Sequence, residues 1–330
     1  MKNLSRKILS VFMALSLITL CSACGNSADS AIASENTETK DGYRIAMVAN
    51  TAINDGGWNS ACYEAMVGAA KANGFETTYS EKVEQTDYVS VFTNYANMGY
   101  HAIFAPGSEF TDAVTEVAAN YPDTTFILLN GSVQSENIIS ILADNYQLGE
   151  IAGCLAALQT KTNSVALVGG IEIATADESA KGFQYAVSKI NPEIEVSVTW
   201  AGTFDDAAKG KEIADSLVTT SNVDVIYGLA SIVDSGIREA LTAYDSVYNI
   251  AQPSDMASTA PDIIMNSVCS STEEMLSIAM EKVISGEANT IISGDISNGC
   301  IFLGEYGNFV SDDVKKEMEN YVQQISDGSF

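Results

Sequence analysis

From residue 43 onward, short apolar runs alternate with longer stretches in which apolar residues recur every three or four positions. Residues 43–50 (YRIAMVAN), 75–80, 101–105 (HAIFA), 125–129 (TFILL) and 138–142 read as strands, with amphipathic helices over 58–73, 86–98 and 111–120. Gly74 and Gly99 close the first two helices. The rhythm then restarts. A helix over 148–159 leads to a strand over 164–168 (SVALV), a helix over 179–189, a strand over 194–200 and a helix over 206–219. A strand over 223–227 (VDVIY), a helix over 235–243, a short strand over 248–251, an apolar run over 262–268 and a helix over 273–284 complete it. Parallel strands need crossovers, so this alternation predicts an α/β chain whose sheets carry helices on both faces. Two such halves predict two doubly wound lobes with parallel sheets joined by a hinge. Sheets of this kind bind ligands beyond the carboxyl ends of their strands, and two such edges facing each other make a closing cleft. No helix-turn-helix leader accompanies the lobes, which argues against a repressor built on them.

The first 42 residues break this pattern. Lys2, Arg6 and Lys7 precede a 13-residue apolar run (ILSVFMALSLITL), which reads as a secretory signal over 1–23 and is too short for a comfortable membrane span. The exit Leu20-Cys21-Ser22-Ala23-Cys24-Gly25 resembles a bacterial lipobox, with Cys24 as the residue to be diacylated. Cys21 stands where Leu is usual, so an ordinary secretory signal stays open. Residues 24–42, rich in small polar side chains, read as a lipid-anchored tether on the extracytoplasmic face of a cell membrane.

Composition narrows the chemistry. Apolar residues make up 46% of the 330, enough for a real core, while 16 Lys+Arg against 43 Asp+Glu give a net charge of −27. Removal of 1–23 takes three cations and no acid, which lowers the charge to −30. So negative a chain repels polyanions, and nucleic acid is not an expected partner. The single His101 argues against histidine zinc sites and multi-imidazole mechanisms. The spacing of Cys62, Cys154, Cys269 and Cys300 matches no metal motif, so neither metal nor cofactor is expected. Export permits disulfides among these four, with the pairing left open.

The most informative stretch follows the first strand: Asn54-Asp55-Gly56-Gly57-Trp58-Asn59-Ser60-Ala61-Cys62-Tyr63-Glu64-Ala65. The glycines permit a tight turn or a close ligand. Asp55 and Asn59 offer polar groups, and Trp58 a flat apolar face. Read structurally, Asp55 caps the helix and Trp58 staples it; read functionally, all of them face a ligand.

The segment resembles the D-D-K-S-F-N-Q-S-A-Y-E-G turn of basic membrane protein (BMP) lipoproteins, PnrA-like relatives of type I periplasmic solute receptors. Asp55 matches the second Asp, Trp58 the Phe and Asn59 the Asn. The resemblance continues through Phe110-Thr111-Asp112-Ala113, Tyr121-Pro122-Asp123 with Phe126, Leu148-Gly149-Glu150-Ile151-Ala152-Gly153, Val168-Gly169-Gly170, Lys181-Gly182-Phe183 and Asn191-Pro192. It closes with Gly202-Thr203-Phe204-Asp205-Asp206-Ala207-Ala208-Lys209-Gly210-Lys211-Glu212 and Asp224-Val225-Ile226-Tyr227.

The resemblance implies a type I two-lobed fold and a non-catalytic, monomeric receptor that hands a nucleoside-like solute to an ABC permease. It implies a base held between two aromatics, here Trp58 and Tyr227, with Phe204 ranked behind Tyr227. The family's base-contacting Asp becomes Asn130, which can donate as well as accept. Ser108 replaces an aromatic. The G-G-T-G-N-G loop becomes residues 231–236, bringing Ser231 and Asp234 into view, and the G-V-D-x-D-Q hinge becomes 251–256, bringing in Asp255. The family's ribose-binding Asp and Lys fall on Pro253 and Ser270, so the sugar half of the site is not evident. Asp234 is expected as a solvated acid or as a substitute carboxylate, and Arg238 and Lys181 as solvated helix charges. By this reading residues 43–142 with 252–288 form one lobe, and 143–251 with 289–330 the other. Two rival functions stay open: a sensory module presenting the same cleft to a signalling receptor, and an exported nucleoside hydrolase. Against the hydrolase, the sequence holds no G-x-S-x-G and no His partner for a nucleophile.

Overall fold

The computed structural model describes residues 34–35, 42–54 and 58–330. The expected signal, Cys24 and Asp55 lie outside the described residues. In chain order the elements are β1 (Ser34–Glu35), β2 (Arg44–Val48), α1 (Trp58–Asn73), β3 (Glu76–Ser80), α2 (Tyr88–Asn97), β4 (Ala102–Ala105), α3 (Thr111–Ala118), β5 (Thr125–Leu129) and β6 (Ile138–Ala143). There follow α4 (Asn145–Gln159), β7 (Ser164–Gly169), α5 (Ala174–Ile190), β8 (Glu195–Trp200), α6 (Ala207–Ser221), β9 (Val225–Leu229), α7 (Ile232–Leu241) and β10 (Tyr248–Ala251). The chain ends with β11 (Ile264–Ser270), α8 (Thr272–Ser285), β12 (Thr290–Gly294), β13 (Ile301–Leu303) and α9 (Asp312–Asp327).

Two sheets result, in the orders β1-β3-β2-β4-β5-β6-β12 and β13-β11-β10-β9-β7-β8. Apart from β1 on β3 and β13 on β11, the pairings are parallel. Helices cover both faces of each sheet, which is why β4, β7 and β9 are buried along their whole length rather than alternating. On the first sheet, one core joins α1 and α8 to the strands through Cys62, Met66, Met275 and Leu276. The opposite core uses Phe92, Phe110 and Val114 of the α2–α3 side. The second sheet is sandwiched likewise, by α4, α5 and α9 on one face and α6 and α7 on the other.

The glycines of two motifs have a packing reason. A Cβ at Gly149 would lie 2.0 Å from the Ser179 carbonyl, and one at Gly182 would lie 2.1 Å from the Tyr146 carbonyl. Only glycine lets α4 and α5 approach this closely.

The chain passes between the sheets three times: from β6 into α4, from β11 into α8, and from β12 into β13. This differs from the strand assignment read from sequence. β11, within 252–288, pairs with β10 in the second sheet, and β12, within 289–330, pairs with β6 in the first. Strand partners are set by distant contacts that a local apolar pattern does not encode. The chain beyond residue 284 also adds β12, β13 and α9. The last is capped by the Ser311 hydroxyl, which accepts from Val314 N–H, and by left-handed Gly328.

Candidate functional site

Each sheet has one place where successive crossovers leave in opposite directions, and there the carboxyl ends of neighbouring strands open a crevice. In the first sheet it lies between β2 and β4, because β2 connects to β3 on one side and β3 returns to β4 on the other. In the second sheet it lies between β7 and β9 by the same logic.

The first crevice carries the sequence motif. Trp58 opens α1 and donates its Nε1–H to the Pro106 carbonyl, at the end of β4, at 2.5 Å. That bond fixes the indole across the crevice while the side chain stays 50% exposed. Asn59 is buried and donates from Nδ2 to Asn50 Oδ1 (2.7 Å) and Thr51 Oγ1 (2.5 Å). Asn50 in turn donates to Glu109 Oε1 at 3.0 Å. Asn59 therefore acts through Asn50 and Glu109 rather than reaching the crevice itself. Asn54 and Ser108 are exposed on this edge. Asn130, just beyond β5, is exposed and left-handed at φ 57°, a conformation that Asn tolerates better than most side chains.

The second crevice is lined by Gly169 and Gly170. Register puts Gly169 opposite Trp200, and the β7–β8 ladder runs on from Ala201 N–H to the Gly169 carbonyl and from Gly202 N–H to the Gly170 carbonyl. The Trp200 ring covers Gly169 and the Phe204 ring covers Gly170; a Cβ at Gly170 would lie 2.3 Å from the Phe204 ring. Phe204 is half-buried, and its carbonyl accepts from Ile232 N–H at 3.0 Å, tying this loop to the start of α7.

Tyr227 is elsewhere. It is 0% exposed, its ring stacks on Phe183 at 5.7 Å, and its hydroxyl donates to Gln252 Oε1 at 2.8 Å. A ring in this position offers no face to a ligand, so the aromatic at the second edge is Phe204 and not Tyr227. The reason is that β9 is covered on both faces, down to its last residues.

Asp234 also departs from the solvated expectation. It is 4% exposed; its Oδ2 accepts from Ala230 N–H at 2.8 Å and its Oδ1 has no hydrogen-bond partner. Burial pushes its carboxyl up to about 6, against the pull of the Ala230 N–H and of Arg238. Arg238 is half-buried, and burial lowers its guanidinium from the usual value. Ser231 is exposed at φ 55°, ψ −112°, a costly backbone for a non-glycine residue. Asp255 is structural: its carboxylate accepts from Glu305 N–H (2.8 Å) and Ala257 N–H (3.1 Å). Lys181 is the expected solvated charge, paired with Asp177 and Glu178.

Cys62, Cys154, Cys269 and Cys300 are buried free thiols. Among the described residues, no cluster could hold a metal ion and no helix is long and apolar enough to cross a membrane. Sequence reasoning missed Pro106, Glu109 and the weight of Phe204. The Gly169-Gly170 pair, with Trp200 at the end of the next strand and Phe204 four residues on in the loop that follows, was the available signal.

A solute-binding protein of an ABC transporter system from Aeropyrum pernix shares this fold, with a TM-score of 0.70 at 19% identity over 87% of this chain and 92% of that one. The architecture is that of type I periplasmic solute-binding proteins. In sequence, a CD4+ T-cell-stimulating antigen of Listeria innocua is 28% identical, with 96% of each chain aligned. An ABC transporter nucleoside-binding protein, BmpA, of Lactococcus lactis is 28% identical over 72% of this chain and 69% of its own. The family model for PnrA-like ABC transporter substrate-binding proteins matches residues 43–329, so the chain belongs to the Bmp family of substrate-binding proteins.

Proposed function

We propose that this chain is the lipid-anchored, extracytoplasmic receptor of an ABC importer. In this reading it takes a nucleoside-like or other flat heterocyclic solute between its lobes and delivers it to a permease. One observation carries the reading: each lobe exposes an aromatic ring, Trp58 or Phe204, at its own switch-point crevice, and both rings are pinned by their surroundings. Paired flat faces suit a planar guest, for which stacking contributes about 1–3 kcal/mol per ring. Asn130 and the Asn50–Glu109 pair are suited to the edge of such a ring system. The nucleoside-binding relative from Lactococcus lactis supports the same solute class.

A thermal-shift screen over bases, nucleosides, flavin- and thiamine-like compounds, sugars and amino acids tests this reading. Flat heterocycles should raise the melting temperature. Shifts from sugars or amino acids alone would refute the solute class. The anchor is tested separately: Cys24→Ser should abolish labelled-palmitate incorporation and release the chain from membranes, and retention would remove Cys24 from that role.

A further inference from the structure

Asn130 is followed by Gly131 just beyond β5, at the carboxyl edge of the first sheet. An asparagine before a glycine is chemically labile. The next backbone nitrogen can attack the side-chain amide, and glycine, lacking a Cβ, shields that nitrogen least. The chain carries this pair three times, at Asn73-Gly74, Asn130-Gly131 and Asn298-Gly299.

The fold separates the three. Asn298 is locked: its Oδ1 accepts from Asp295 N–H (2.9 Å) and Cys300 N–H (3.2 Å), and its Nδ2 donates to the Ser293 carbonyl at 2.7 Å. The Gly299 N–H is also engaged, by the Ile296 carbonyl at 3.1 Å. Asn73, in the last turn of α1, donates from Nδ2 to the Ala69 carbonyl (2.9 Å) and to Ser277 Oγ (2.8 Å). Asn130 is exposed, and among the described residues neither its side-chain amide nor the Gly131 N–H has a hydrogen-bond partner. Residue 131 is also held to glycine, because a Cβ there would lie 2.4 Å from the Leu128 side chain. The packing that demands glycine therefore preserves the reactive pair.

We infer that Asn130-Gly131 is a self-modification site that turns an amide at the crevice edge into a carboxylate. The Gly131 nitrogen, losing its proton to solvent, bonds to Asn130 Cγ; the Cγ–Nδ2 bond breaks, ammonia leaves, and a cyclic imide remains. Water opens the imide at either carbonyl, giving aspartate or its β-linked isomer. One water is taken up and one ammonia released, with no change of oxidation state.

The consequence for binding rests on the heterocycle reading above. An amide donates and accepts, whereas a carboxylate only accepts. Adenine offers an acceptor beside an amino donor, which suits the amide. Hypoxanthine offers a ring N–H, which a carboxylate can take. Modification should therefore move the preference from adenine toward hypoxanthine, with a negative charge now at the position where the family resemblance places aspartate.

Peptide mass spectrometry of the full chain, warmed in neutral and in mildly alkaline buffer, tests the site. The mass gain of amide-to-acid exchange should appear at Asn130 at least tenfold faster than at Asn73 or Asn298, and faster at the higher pH. Asn130→Gln should block it, since the longer side chain needs a larger ring. Equal rates at the three pairs, or none at Asn130, would overturn the site. Calorimetric titration with adenine and hypoxanthine tests the consequence. The adenine-to-hypoxanthine affinity ratio should fall about tenfold in Asn130→Asp and in the same direction as the wild type ages, while ageing leaves the ratio of Asn130→Gln unchanged. A ratio that conversion does not move would overturn the switch and leave the heterocycle reading intact. A fresh chain that binds neither base would overturn that reading and the switch together, and the mass gain alone would then decide the site.

Discussion

Replacing Trp58 with Ala separates a ligand face from a core residue. The indole is 50% exposed, so its removal empties little of the interior. A guest covering the free face would bury on the order of 100 Å², which at about 25 cal/mol per Å² is about 2.5 kcal/mol. That agrees with the range of about 1–3 kcal/mol for stacking a base, so Trp58→Ala should weaken heterocycle binding by roughly thirtyfold, or about 2 kcal/mol. Phe204→Ala should act similarly from the other lobe. Tyr227→Phe provides the contrast. It removes the hydroxyl bond to Gln252 at no exposed face and should lower stability by about 1 kcal/mol, with hypoxanthine affinity unchanged. Calorimetric titration with hypoxanthine, run beside urea unfolding, reads both quantities for each variant. An unchanged affinity in Trp58→Ala, or a Tyr227→Phe variant that loses hypoxanthine while keeping its stability, would refute the assignment of the two rings.

Gly182→Ala should destabilise the fold by about 2 kcal/mol in urea unfolding, because the added Cβ meets the Tyr146 carbonyl and that clash outweighs the helix-propensity gain of about 1 kcal/mol. Asp224→Ala should cost about 3 kcal/mol without changing heterocycle affinity. Its buried carboxylate accepts from Thr160 Oγ1 (2.6 Å), Lys161 N–H (2.6 Å) and Thr162 N–H (3.0 Å), at the end of the sheet away from the crevice. Burial beneath α5, with the Asp144 charge adding to it and Lys189 opposing, pushes the Glu150 carboxyl up to about 7. The folded state therefore holds this proton more tightly than the unfolded chain, so stability should fall as pH rises from about 4.5 to 7, by on the order of 3 kcal/mol as an upper figure; Glu150→Gln should flatten that slope in unfolding measured across the interval.

The strand and helix alternation was legible because each element carries its own local pattern. The Cys62, Met66 and Ala69 stripe of α1 and the continuous burial of β4 follow directly from residue spacing. Pairing was less legible, because it is not local. Nothing in the segment Ile264–Ser270 says that it lies beside β10, and nothing in Thr290–Gly294 says that it closes the edge of the other sheet. Tyr227 and Phe204 show the same limit at the site. A tyrosine near the end of a strand reads as an edge residue until Phe183 of a distant helix is found stacked on it. The place of Phe204 depends on a parallel register that brings a Gly-Gly pair beneath it. Asp234 reads as a solvated loop acid or a substitute carboxylate, and only the fold reveals that it turns back to the Ala230 N–H and is buried there.

In the proposed reading, the two edges would divide the labour of recognition unequally. Around Trp58 the first edge is polar and internally bonded, with Asn59 holding Asn50 and Asn50 holding Glu109. Groups locked in this way pre-set an orientation, so little conformational entropy remains to be lost when a guest arrives. The second edge carries exposed apolar side chains as well as the polar Ser231 and Arg238. Ile171, Ile173 and Ile232 are each 45–48% exposed; the first two follow Gly170 in the chain, and the Ile232 N–H is bonded to the Phe204 carbonyl. Apolar side chains grouped at one edge mark a surface meant to be covered. A solute seated on the first edge would, in the proposed reading, supply that cover on lobe closure, which would bury the three isoleucines and the phenyl ring. Without a guest, closure in that reading would leave the exposed indole of Trp58 and the Phe204 ring without a stacking partner. The difference between these two outcomes is the free energy by which a fitting solute can select the closed form. This contrast between the edges, more than either ring alone, would in the proposed reading couple one binding event to lobe closure.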